Sequence, residues 1–289
     1  MNQLYIFVLL HDKCNFNCSF CAMRATKKRL TNYTKNILTR QEFKEILEQL
    51  ENIDPNIHID LQISGGEPTL DIGQLQEVCN IFTKWKKTAN KNITFTLVSN
   101  GSFATKHLGT VLSLPFNAYH ISMSNYHFQA DCGENVRVLY ILNDKRIIFR
   151  PVLDDFQSLL ELCELYGIGD ISSRAMISDI IDHDIDTKFS LIDAPSFYRF
   201  DIIGFIIWPN GQVGLSYPTG DGLGYNKNFK INQLSWLIKE TKNKEWSIYC
   251  NKSCSIESKP MPTWLEALGI KIDYLKCQDI KIDLKNKED

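Results

Sequence analysis

Three cysteines stand close together near the start of the chain, in Cys14-Asn15-Phe16-Asn17-Cys18-Ser19-Phe20-Cys21. Thiolates are soft ligands, and three on one short loop can converge on a single iron–sulfur or zinc centre if the chain wraps around it. Two other arrangements fit the same residues. Spacings of i, i+4 and i+7 would share one helix face, where the thiols could simply be buried. The intervening Asn15, Asn17 and Ser19 prefer caps and turns, which weighs against a helix. A zinc site would need a fourth ligand, and His11, three residues before Cys14, could supply it. Structural zinc sites, however, usually divide their ligands between two distant pairs.

A second group is Ser64-Gly65-Gly66-Glu67-Pro68-Thr69. Two glycines let the backbone come close to a ligand and adopt positive φ. Glu67 adds a charged acceptor, and Pro68 fixes the turn. On its own this segment is only a turn. Read together with Cys-x3-Cys-x2-Cys and the aromatic before the last cysteine, it resembles the radical SAM superfamily. The resemblance implies that Cys14, Cys18 and Cys21 ligate a 4Fe–4S cluster. One iron would be left open to S-adenosylmethionine (SAM), and Gly65, Gly66, Glu67 and Pro68 would meet the SAM ammonium. Such a cofactor pair makes a 5′-deoxyadenosyl radical that takes hydrogen from a substrate. Phe16 and Phe20 would then shield the cluster from water.

Weaker matches follow in chain order. Ser99-Asn100-Gly101 resembles the family's T/S-N-G, which makes Asn100 a cofactor-binding candidate. Ser122 and Ser124 end a strand where related enzymes place a serine near SAM; a solvated strand end is the plain alternative. Arg150 and Arg174 lie within later strands, and a guanidinium there could hold the SAM carboxylate in a bidentate clamp or serve a structural ion pair. Cys132 sits in a loop-like stretch, where a thiol could return a hydrogen atom to a substrate radical or be incidental. Cys79 and Cys163 fall on apolar helical faces and read as core.

These residues need a frame to position them. Apolar β-rich runs at Leu4–Leu10, Ile59–Ser64, Ile93–Ser99, Tyr119–Met123, Arg146–Val152 and Asp170–Met176 alternate with helical patterns. Thr39–Asn52 opens with a capping box, Thr39 and Glu42, and shows Phe43, Ile46, Leu47 and Leu50 on one face. Leu70–Lys86 and Phe156–Tyr166 repeat the helical period. The fold class expected is α/β, a partial, TIM-like (β/α)6 barrel over residues 1–178, with its chemistry at the C-terminal strand ends. A small α+β extension over 179–289 holds two β runs, Phe200–Trp208 and Gln212–Tyr217, joined at Pro209-Asn210-Gly211, and a helix at Leu234–Lys242.

Ile206–Val213 resembles the hairpin that opens the SPASM and twitch extensions of peptide-modifying relatives. Leu215-Ser216-Tyr217 stands where that hairpin would be followed by a cluster-binding cysteine. Cys250, Cys254 and Cys277 form a second set of three thiols, for an auxiliary iron–sulfur cluster with one further ligand, for zinc, or for neither. The extension favours a ribosomally made peptide as substrate, with an aminosugar or nucleoside as the alternative. A non-enzymatic zinc or Fe–S sensing protein is the reading of another class.

The chain has 289 residues, 44% hydrophobic, a formal net charge of −2 and nine cysteines. That balance excludes a basic nucleic-acid surface, and no apolar run reaches membrane-spanning length. With no export signal the expectation is a cytoplasmic protein with reduced thiols, served by an electron donor such as flavodoxin or ferredoxin.

Overall fold

The order in which the strands pair decides which loops meet. The computed structural model describes residues 3–18, 21, 37–123, 128, 133–151, 161, 163–168, 202–216, 229–242, 246–249 and 281–284. Strands β1 (Gln3–Leu9), β2 (His58–Ser64), β3 (Ile93–Ser99), β4 (Ala118–Met123) and β5 (Ile147–Pro151) are parallel neighbours in that order. Helices α1 (Arg40–Glu51), α2 (Ile72–Lys86), α3 (Leu108–Leu112) and α4 (Gly133–Leu142) alternate with them. This is a mostly parallel α/β sheet curved into an unclosed partial barrel, as expected. The sixth expected strand, Asp170–Met176, lies outside the described residues.

Alternation along the strands separates two faces. Leu4, Ile6, Val8, Ile59, Leu61, Ile63, Phe95, Leu97, Tyr119, Ile121, Ile147 and Phe149 are buried and belong to one apolar cluster with the helices. Phe82 of α2 stacks on Phe95 at 3.9 Å between ring centroids. The Tyr119 hydroxyl donates to the carbonyl of Val111 in α3. The opposite, inner face carries Tyr5, Phe7, Asp60, Gln62, Thr96, His120, Ser122 and Arg150. Several of these positions are only half buried. Cys79 and Cys163 lie in the core, where burial pushes their thiols up to about 12 and about 11.

α1 starts where the capping box puts it. Glu42 N–H donates to Thr39 Oγ1, and Thr39 N–H donates to the Glu42 carboxylate at 2.8 Å. Phe43, Ile46, Leu47 and Leu50 are its buried residues, as the period indicates. Leu70 ends a short 3-10 turn, Pro68–Leu70, and α2 begins beyond the Asp71 cap, whose carboxylate accepts from Gln74 N–H.

The hairpin of the C-terminal third joins the main sheet. Its strands are β6 (Ile202–Ile207) and β7 (Gln212–Ser216), followed by β8 (Phe229–Lys230) and α5 (Leu234–Lys242). β6 pairs in parallel with β1 over Gln3–Val8, so β1 is interior and the sheet runs β5-β4-β3-β2-β1-β6-β7-β8. The apolar run at 202–207 accounts for this, since an interior parallel strand needs cover on both faces. The turn closes with Gly211 N–H donating to Trp208 O and Trp208 N–H donating to Gln212 O, with Gly211 at φ +78°. α5 packs beside α1 through Ser235, whose hydroxyl donates to Gln49 Oε1 at 2.7 Å. β9 (Trp246–Tyr249) and β10 (Lys281–Leu284) form a separate antiparallel pair. The boundary at 178/179 falls outside the described residues. No helix among those described is long and apolar enough to cross a membrane.

Candidate functional site

Three loops leave the C-terminal ends of β1, β2 and β3; backbone hydrogen bonds join the first two, and side chains tie in the third. Leu10 N–H donates to Ser64 O, Gly66 N–H to His11 O and Glu67 N–H to Lys13 O, all at 2.7–2.9 Å. The cysteine loop is closed at its base by Leu38 N–H donating to Leu10 O, a bridge between His11 and Ile37, and Gln74 Nε2 donating to Leu38 O. The glycines serve this contact. A Cβ on Gly66 would lie 2.1 Å from Lys13 O, and one on Gly65 2.6 Å from His11 O, with Gly65 at φ +152°. Expected to admit a ligand, they first admit the protein's own backbone beside Cys14.

Glu67 is fully buried. Thr69 N–H and Oγ1 and Ser99 Oγ donate to Oε1, and Asn100 N–H donates to Oε2 at 2.7 Å. Burial raises its carboxyl above the usual range, and those donors counter the rise. Its side chain is a staple between the loops after β2 and β3. Pro68 is buried at the start of the 3-10 turn.

Asn100 connects this staple to the cysteines. Its Nδ2 donates to Asn15 Oδ1 at 2.9 Å and stands 4.0 Å from Cys14 Sγ, which also accepts from Phe16 N–H at 3.3 Å. Cys21 N–H donates to Cys18 O. Cys14 is exposed, Cys21 half buried and Cys18 buried. The surrounding loops raise the Cys14 thiol by desolvation, with Glu67 and Cys21 adding like charge; a bound cation would reverse the balance. Among the described residues no three His, Cys, Asp or Glu side chains already form a ready metal site. The fit to an iron–sulfur cluster rests on donor chemistry: three thiols on one loop, with N–H donors directed at sulfur. His11 is buried, both ring nitrogens lack hydrogen-bond partners among the described residues, and burial holds its pKa down.

Ser122 and Arg150 are neighbours across β4 and β5, on the inner face. Arg150 Nη1 lies 3.5 Å from His120 Nδ1, and its charge is felt by Tyr5 and Asp60. The structure brings Arg150 to these residues, which the sequence reading did not single out. They could have been found by period, because Asp60 and Gln62 interrupt the apolar run of β2 at every second residue. Ser124, Cys132, Arg174, Cys250, Cys254, Cys277 and Phe20 lie outside the described residues.

The family model described as Radical SAM superfamily matches residues 8–168. No curated protein matches. Among solved structures, native anSMEcpe with bound AdoMet is similar at 14% identity and a TM-score of 0.45, over 65% of this chain and 55% of that one. The same protein with AdoMet and Kp18Cys peptide gives 13% and 0.46, with equal coverage. Coproporphyrinogen III oxidase (HemN) from Escherichia coli gives 11% and 0.39, over 62% of this chain and 44% of that one. The chain therefore spans about half the length of the structures it matches.

Proposed function

The chain belongs to the radical SAM superfamily, and from that premise we propose that it is an enzyme whose Cys14, Cys18 and Cys21 hold a 4Fe–4S cluster with SAM bound beside it. When bound, that pair supplies one-electron cleavage of a sulfonium to methionine and a 5′-deoxyadenosyl radical, which takes hydrogen from a substrate carbon. The observation that carries this reading is Asn100. Its backbone N–H donates to Glu67 and its side-chain amide to the Asn15 side chain, with Cys14 Sγ beside it, so the two motif loops share one rim.

Each residue of that rim then has a task. Asn100 and the Phe16 N–H direct donors at Cys14 Sγ, which favours the thiolate state. With the Glu67 carboxylate committed to four protein donors, the Gly65–Pro68 loop meets the SAM ammonium through backbone oxygens. Ser122 stands on the inner face, where SAM would pass into the barrel. Residues 1–178 are assigned as the core and 179–289 as the extension that shapes substrate access.

The Ile206–Val213 hairpin favours a ribosomal peptide as substrate, by its likeness to SPASM and twitch sequences. The polar inner face favours the second reading, a small metabolite held inside the barrel. An electron donor such as flavodoxin or ferredoxin is required in either case. Cys250, Cys254 and Cys277 are assigned to an auxiliary cluster only if iron analysis gives about eight irons per chain and not about four.

The test is anaerobic incubation with SAM and a reductant. The full chain is expected to be brown and to release 5′-deoxyadenosine, and Cys14→Ala to lose both properties. A colourless zinc protein indifferent to SAM would overturn the reading in favour of a non-enzymatic zinc site.

A further inference from the structure

The inner face of the barrel holds a polar network away from the cysteine rim. Asp60 on β2 accepts from Thr96 Oγ1 on β3 at 3.0 Å through Oδ1, and from Gln62 Nε2 at 2.7 Å through Oδ2. Across β4, the Arg150 guanidinium reaches His120 Nδ1, a long contact at 3.5 Å. Asp60, Gln62, Thr96 and His120 are each less than a tenth exposed. Buried polar atoms are nearly always hydrogen-bonded, so exceptions call for an account. Two atoms here are exceptions: Arg150 Nε and Gln62 Oε1 are buried without a partner among the described residues.

The arrangement is lopsided. Asp60 accepts one hydrogen bond on each oxygen, and its charge is felt by Arg150. Among the described residues Arg150 has one long contact, to a neutral imidazole whose pKa burial and Arg150 itself push down to about 3. No carboxylate lies within ion-pair distance of Arg150 among the described residues. A guanidinium so placed presents a fork that matches a carboxylate or a phosphate. The neighbouring Ser122, Val98, Phe7 and Tyr5 positions are only half buried, so the face around it is not packed shut.

We propose that Arg150 is the anchor for an anionic group of the substrate, a carboxylate or a phosphate. This rests on the reading of the barrel interior as the reaction chamber. It moves Arg150 from the SAM carboxylate, where family resemblance would put it, to the substrate. Asp60 is the nearby acidic group, so it opposes the anion and sets how tightly it is held.

The orphaned atom is itself the probe. In the full chain as purified, the Nε–H resonance of Arg150 is identified by its loss in Arg150→Lys, or in Arg150→Met if the lysine variant does not fold. Sodium acetate, inorganic phosphate and sodium chloride are titrated separately. A saturable shift with acetate identifies a carboxylate-bearing substrate, and one with phosphate a phosphorylated one. Asp60→Asn is expected to tighten that anion roughly fivefold, by removing one opposing charge; a purely structural network would not respond in this sense. A resonance that moves only with SAM, or no further with either anion than with chloride, overturns the proposal. The measurement reads occupancy and not turnover. A chain that releases 5′-deoxyadenosine without the anion shift defeats this inference alone, and the converse defeats the catalytic reading alone.

Discussion

At the scale of single residues, Glu67 and His120 show how burial sets chemistry. Glu67→Ala would strand the donors of Thr69, Ser99 and Asn100 in a dry site. The expected cost is roughly 2–4 kcal/mol, since each orphaned buried donor keeps its desolvation penalty. A lowered urea midpoint together with loss of bound iron checks it; an unchanged midpoint would show that the staple is dispensable. His120 makes a prediction about pH. Its pKa falls from 6.5 to about 3 on folding, through burial and then the Arg150 charge. Between those values the unfolded chain binds a proton that the folded chain does not. The His120 contribution is therefore complete above pH 6.5 and lost as pH falls toward 3, on the order of a few kcal/mol in all. His120→Gln keeps an acceptor for Arg150 and removes the titration. Its stability curve should run parallel to that of the native chain above pH 6.5 and fall less steeply below it.

At the scale of elements, close approach explains what propensity does not. Gly66→Ala forces a methyl group against the Lys13 carbonyl, which cannot move without carrying Cys14 with it. The expected result is a fall in Tm of about 5 °C or more and a drop in iron per chain. Gly109→Ala is the matched control, because nothing lies within 4 Å of the added carbon, and it should leave both values near those of the native chain. The same elements show what the sequence made legible. The capping box of α1 was readable because Thr39 and Glu42 are three residues apart, and the apolar face of the helix follows from its period. The loop motifs were readable because their chemistry is local. The inner-face network was not. Asp60, Thr96, His120 and Arg150 come from four strands, and only the pairing order, absent from any local pattern, brings them together. Glu67 is legible as a charged acceptor, but nothing in Gly-Gly-Glu-Pro tells whether the carboxylate faces a ligand or the next loop.

At the scale of the whole molecule, β6 decides whether the core can stand alone. β1 carries the cysteine loop and hydrogen-bonds to β2 on one side and β6 on the other. Removing the C-terminal third would expose Gln3–Val8 as an unpaired edge with apolar side chains at alternate positions, a template for association between chains. It would also remove α5, whose Ser235 binds Gln49 of α1, and the turn at Gly211, which sits against Glu42 of the capping box. The hairpin thus braces the strand and the helix on either side of the cysteine loop. A chain ending at residue 178 is expected to aggregate or to unfold without a cooperative transition, whereas the full chain melts cooperatively. Differential scanning calorimetry with light scattering distinguishes the two. A soluble fragment with a sharp transition and full iron content would show that the core is an autonomous domain. It would also show that β6 is only laid beside it.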